Sequence, residues 1–311
     1  MDRRDFLRAV AVTGAAVTIR RAGAMDILSQ NLGNIGNDKV DLVAIMGGEP
    51  EDMFRRGIDT LGGIKEFVKS GQKVVVKPNI GWDKTPELAG DTNPKLIAEI
   101  VKQCLAAGAK EVKVFDHTCD DWVKCYANSG IRAAVEGAGG QMIPANLESY
   151  YRPVSLPKGI KLKDTQIHEA ILDSDVWINV PILKHHGGAN LSISMKNLMG
   201  IVWDRRFFHS NDLQQCIADV CTLEKKPVIN VVDAYRLLKT NGPQGRSLTD
   251  VVPSKAMFIS QDIVAADTAA AKFFNQVREM PLDTVGHLAN GQALNLGTMD
   301  IDKLNVQRIR M

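Results

Sequence analysis

Apolar runs alternate with stretches of helical spacing from residue 41 to the C-terminus. Asp41-Leu-Val-Ala-Ile-Met46 predicts a first strand ending at Gly47-Gly48. Lys73-Val-Val-Val-Lys77 predicts a second, ending at Pro78-Asn79, and Glu111-Val-Lys-Val-Phe115 a third, ending at Asp116-His117-Thr118. Between them, Glu51 to Val68 has helical spacing weakened by Gly62-Gly63. Asp91-Thr92-Asn93-Pro94 carries cap residues and then a first-turn proline, which predicts a helix running to Ala107 and stopping at Gly108. One helix is expected after the third strand, through Val135 to Gly137, followed by a short strand at Gln141. Tyr150, Tyr151, Pro153, Pro157 and Gly159 mark residues 147–168 as an irregular or hairpin insertion.

Order returns at Asp175-Val-Trp-Ile-Asn-Val180, apolar enough for a strand covered on both faces. Strands are also expected at 227–232 and 255–259, helices at 212–223 and 262–274, and an edge strand at 304–309. Strands alternating with helices define an α/β chain with a mainly parallel sheet and helices on both faces. The 311 residues suit one large α/β domain over 25–311, or two intimate lobes divided near 147–168.

Composition narrows the functional classes. Lys and Arg number 38 against 36 Asp and Glu, with no block of like charge, and aromatics are only 5%, so nothing points to nucleic acid. Residues 1–24 stand apart from the fold. Arg3-Arg4 followed by Phe6-Leu7, a short apolar run from Ala9 to Thr18, and Ala22-Gly23-Ala24 resemble a twin-arginine export signal with its cleavage site. That reading makes the chain periplasmic or otherwise exported, a client of the twin-arginine machinery; its apolar run is too short to span a bilayer, so no integral membrane segment is expected in the mature chain. Cys104, Cys119, Cys125, Cys216 and Cys221 contain no Cys-x-x-Cys pair, and their spacing fits neither an iron–sulfur cluster nor a structural zinc site. Cys119 and Cys125 are either a disulfide formed after export or two reduced thiols.

In such a sheet, ligands bind beyond the carboxyl ends of the strands. Those ends carry Gly47-Gly48, Asn79, Asp116-His117, Lys184-His185-His186 and Asp233. The segment 184–200 is the densest: Gly187-Gly188 lets backbone approach a ligand, and Ser192 to Met199 reads as a helix start whose free amides suit an anion. Lys77, Lys184 and Lys196 would add positive charge, and Asn79, Ser194 and Asn197 lie beside them. His185 and His186 would point to opposite faces of a strand, so one of them enters the site. His117, His186 and Asp116, joined by Asp233, form a potential divalent-metal set. Alternatively, a histidine among His117, His185 and His186 is a general base, with Lys184 and Asp233 in support. Trp203 to Phe208 is expected to form a flap over the site. Asn241-Gly242-Pro243-Gln244-Gly245 is either a plain connection or a loop that touches the ligand. No Walker loop, Gly-x-Gly-x-x-Gly or Gly-x-Ser-x-Gly motif is present.

Val76-Lys-Pro-Asn79, Thr92-Asn-Pro94 and Phe115-Asp116 resemble the first half of the domain of unknown function 362 family. Asn179-Val-Pro-Ile-Leu-Lys-His-His186, Ser194-Met-Lys-Asn-Leu-Met-Gly200, Asp233-Ala234, Gly242-Pro-x-Gly245 and Asp262-x-x-Ala-Ala-Asp267 resemble its second half, about residues 40 to 300 in all. Many relatives carry ferredoxin-type cysteines; this chain lacks them, so no iron–sulfur cluster is expected. The order of His185 or His186, Gly187-Gly188 and Lys196 is similar to that in nickel-dependent lactate racemases, and this implies proton or hydride transfer at a hydroxy acid. The reading is then an exported enzyme acting on a small anionic molecule, with redox or isomerase chemistry at a metal or organic cofactor. The alternative is a non-catalytic periplasmic binding or cofactor-handling protein.

Overall fold

The protein is described from a computed structural model over residues 39–311; the export-signal reading of residues 1–24 lies outside the described residues. In chain order the principal elements are β1 (Leu42–Met46), α1 (Pro50–Thr60), β2 (Lys73–Pro78), α2 (Pro94–Ala106), β3 (Glu111–Val114), α3 (Trp122–Asn128), α4 (Ile131–Gly137) and β4 (Gln141–Met142). Next come β5 (Tyr151–Ser155), β6 (Asp164–His168), α5 (Glu169–Asp173), β7 (Val176–Val180), β8 (Ile182–His186), β9 (Asn190–Ser192), α6 (Ser194–Asn197), α7 (Arg206–Ser210) and α8 (Leu213–Val220). The chain closes with β10 (Ile229–Leu238), β11 (Val251–Val252), β12 (Ala256–Ser260), α9 (Ile263–Val277), α10 (Gly286–Ala293) and β13 (Val306–Arg310).

The sheet runs β13-β1-β12-β10-β7-β2-β3-β4. It is an α/β fold with a mainly parallel sheet: only β12, paired with β1 and β10, opposes its neighbours along this path. Strand alternation divides the core. Val74 and Val76 join Val43, Phe54, Ile97 and Ile100 on one face, whereas Val75 joins Trp177, Val232, Phe258 and Phe274 on the other. Residues 147–168 form a hairpin, β5 on β6, apart from the main sheet. No helix of the described residues is long and apolar enough to cross a membrane.

Several details depart from the sequence pattern. The single helix expected to reach Gly137 is two, because Gly130 takes φ 72° between α3 and α4, which breaks the hydrogen-bond ladder. The helix from residue 51 ends at Thr60, with Gly62 and Gly63 both at positive φ. The strand at 227 continues through Asp233 to Leu238, and its second half pairs with β8 in parallel. Strand β8 then folds back on β9 as an antiparallel hairpin, with Lys184 opposite Ser192. The described cysteines are all free; Cys125 is buried and Cys119 exposed.

Candidate functional site

Five polar side chains run through the sheet beneath its carboxyl edge. Asn230 on β10 donates to Ser260 O at 3.3 Å, and its Oδ1 accepts from Asn179 Nδ2 on β7 at 2.9 Å. Asn179 Oδ1 accepts from Asn197 Nδ2 at 2.9 Å, and Asn197 Oδ1 accepts from Lys77 Nζ at 2.8 Å. Lys77 closes the series on Asp116 at 2.7 Å; Lys77 is 0% and Asp116 2% exposed. Asp116 Oδ2 also accepts from Ile80 N at 2.7 Å. An ion pair this deep persists only because hydrogen bonds satisfy its remaining atoms. Burial pushes Lys77 below the ordinary ammonium range and Asp116 pulls it back. Neither charge is left over for a ligand. The anion-binding role expected of Lys77 and the metal-ligand role expected of Asp116 are therefore corrected: the two neutralise each other.

Above this floor lies a cavity of about 390 Å³, lined by Asn79, Trp82, His117, Cys119, Lys184, His186, Lys196, Asn197, Arg205, Arg206, His209 and Pro243 among others. Lys184, 2% exposed, donates to Asn79 Oδ1 at 2.8 Å and to Gly90 O. Burial lowers its proton affinity; buried Asp91 works against that lowering and is itself raised by burial. Lys196 differs. Among the described residues its ammonium finds only the Met199 thioether, at 3.3 Å, a weak acceptor. Burial, then the neighbouring Lys184 and Arg205 charges, bring it down to about 8.

The histidines are fixed in different tautomers. His117 Nδ1 lies 2.9 Å from Val202 O, and a carbonyl can only accept, so Nδ1 carries the proton and Nε2 the lone pair. Its ring stacks on Trp203 at 5.1 Å and 1°. Burial and then Arg205 lower its pKa, which keeps it neutral. His186 is the reverse: Nδ1 accepts from Gly188 N and Ala189 N, both at 3.0 Å, so Nε2–H is a donor. Burial, Lys196 and Lys184 hold it down to about 2. His185, on the other face of β8, accepts from Gly242 N at 3.1 Å and does not line the cavity.

Asn79, Lys184, His117, His186, Lys196 and Asn197 meet at the cavity. Gly187 and Gly188 are exposed and serve the turn; the Gly188 amide is spent on His186. The amides at the start of α6 are not free. Ser194 N and Met195 N both donate to Asp267 of α9, at 2.8 Å, so the anion there is the protein's own carboxylate. Asp233 is not an opposing wall. It lies inside β10, and its carboxylate accepts from Asn93 N at 2.8 Å and Tyr235 N at 2.9 Å, anchoring the start of α2. Among the described residues no group of three or more His, Cys, Asp or Glu is placed to hold a metal. Asp116 is committed to Lys77 and His186 Nδ1 to backbone amides, so the metal set of His117, His186 and Asp116 does not fit these residues. The flap sequence supplied more than expected: Arg205 and Arg206 line the cavity. The adjacent arginines directly after Trp203-Asp204 were the signal available in the sequence.

Asp233 yields a pH prediction. Burial raises its pKa from 3.8 to about 6, against the two amide bonds that lower it. A carboxyl raised in the folded state contributes stability that is fully present below about pH 4 and is lost as pH rises toward 6. Asp233→Asn does not titrate. Its destabilisation relative to wild type should therefore be larger at pH 4 than at pH 7, by up to roughly 3 kcal/mol. Urea unfolding at the two pH values checks this, and a pH-independent difference would contradict it.

Fold and pocket together define an α/β chain whose strand ends build a basic, hydrogen-bond-rich cavity. Its sequence matches the family described as a domain of unknown function (DUF362) over residues 74–272, and the chain belongs to that family. It is 25% identical over 149 residues to a thylakoid-associated protein of Synechocystis sp., which spans 48% of this chain and 45% of that protein. The chain thus spans about half the length of that curated relative. Among solved structures, the lactate racemase apoprotein of Thermoanaerobacterium thermosaccharolyticum overlaps with a TM-score of 0.48 at 13% identity, covering 78% of this chain and 59% of the other. An overlap that loose says nothing about chemistry.

Proposed function

We propose that this chain is an exported enzyme that binds a small anion in the strand-end pocket and moves a proton beside the bound charge, as an isomerase. The observation that carries the reading is Lys196, an ammonium in the cavity wall with no oxygen acceptor among the described residues. An ordered ammonium without an acceptor is costly, and a ligand oxygen would supply one. His117 then acts as the base through Nε2, and His186 donates through Nε2–H to charge that develops on the ligand. Lys184 holds Asn79 and the Gly90 loop in place.

Deuterium exchange into a panel of small carboxylates and phosphate esters, followed by proton NMR, tests the catalytic half. Exchange on at least one member, lost in His117→Ala, is expected. Tight anion binding with no exchange on any member, unchanged in His117→Ala, would leave a non-catalytic binding protein. Export rests on Arg3-Arg4, and replacing both with lysine should retain the protein in the cytoplasm of its host. Unchanged fractionation would remove that part of the proposal.

A further inference from the structure

The cations around the pocket are not equally free. Lys77 is answered by Asp116, and Lys184 faces the buried Asp91. Three others have no carboxylate among the described residues. Lys196 has only a thioether. Arg205 is held by carbonyls, donating from Nη1 to His117 O at 2.8 Å and from Nη2 to Thr118 O at 2.7 Å. The Arg206 side chain, exposed at the rim, has no acceptor among the described residues. Lys196, Arg205 and Arg206 all line this one cavity. A single carboxylate there would leave the three cations with net positive charge, which is less favourable than full neutralisation at the reduced effective dielectric near protein. A dicarboxylate would carry its second charge several ångströms away.

From this we infer that the ligand carries one compact dianionic head group, a phosphoryl group, seated on Lys196 and Arg205 with Arg206 closing over it. The remainder of a small phosphate ester fits the 390 Å³ cavity, with its carbon skeleton beside His117 and His186. This rests on the anion-pocket reading above and sharpens it.

Cys119 offers a readout independent of turnover. Its thiol lines the cavity 3.3 Å from Arg205 Nη1, and the other cysteines are buried. Native full-length protein is alkylated with neutral iodoacetamide at constant ionic strength, and modification of Cys119 is followed by mass spectrometry. Glycerol phosphate should slow it by at least about tenfold where lactate or acetate at equal concentration changes it less than about twofold. Lys196→Gln, and separately Arg206→Gln on the exposed rim, should each weaken phosphate protection about tenfold, whereas Lys303→Gln at the surface should not. Equal protection by lactate would overturn the phosphoryl assignment and leave the anion pocket standing. Protection by succinate but not by glycerol phosphate would overturn it in favour of a dicarboxylate. If no anion protects a freely reacting Cys119, the anion pocket itself is wrong.

Discussion

Gly200→Ala is expected to destabilise the protein by about 3–5 kcal/mol and to lower its melting temperature by roughly 10 °C. A Cβ on Gly200 would lie 1.9 Å from Asp116 Oδ1 and 2.5 Å from Lys77 Nζ. Neither group can retreat. Asp116 is tied to the Ile80 amide, and Lys77 to Asn197 and Pro78 O as well as to Asp116. The added methyl must part a buried ion pair, which leaves two charges poorly solvated in the core. Differential scanning calorimetry checks this. A melting temperature within about 2 °C of wild type, equivalent to no more than about 1 kcal/mol, would show that the pair is not packed as described.

The second large effect separates the charges from the packing. Lys77→Met keeps most of the side-chain volume and removes the ammonium, stranding the Asp116 carboxylate in the core at a cost of about 3–5 kcal/mol. Adding Asp116→Asn removes the stranded charge and keeps an acceptor for Ile80 N. The double variant should therefore be more stable than Lys77→Met alone by about 1–3 kcal/mol, a non-additivity typical of directly coupled sites. Denaturant unfolding of all four proteins in the cycle measures it. Strict additivity would mean that the two side chains are not coupled.

Much of the fold was legible because it follows from local pattern. Val74, Val75 and Val76 read as a strand, and Asn93-Pro94 read as a helix start; the structure has both. Strand direction was less accessible, since nothing within Ala256–Ser260 says that it runs against β1 and β10. The β8–β9 hairpin was hidden in the same way: Gly187-Gly188 looked like a ligand-approach loop, and its role in the turn depends on Lys184 facing Ser192.

The site was legible as a region and less so in its roles. Lys184, His186, Lys196 and Asn197 come from one continuous segment, so their convergence with Asn79 and His117 follows from strand order. What local reading lacks is the long-range partner. Lys77 and Lys196 look alike as sequence; only the fold shows that one meets Asp116 and the other, among the described residues, only the Met199 sulfur. The amides of Ser194 and Met195 look like an anion site until Asp267, 72 residues beyond Met195, is seen to occupy them. Asp233 looked like a strand end because the apolar run stops before it, but β10 runs past it to pair with β8.

The central claim, that the strand-end cavity is an anion site built on Lys196, is most directly tested by a crystal structure of the full chain soaked in bromide. The expected result is an anomalous peak inside the cavity within hydrogen-bonding reach of Lys196 Nζ, absent in Lys196→Gln crystals. Bromide on the protein surface with none in the cavity, or an unchanged cavity peak in Lys196→Gln, would contradict it.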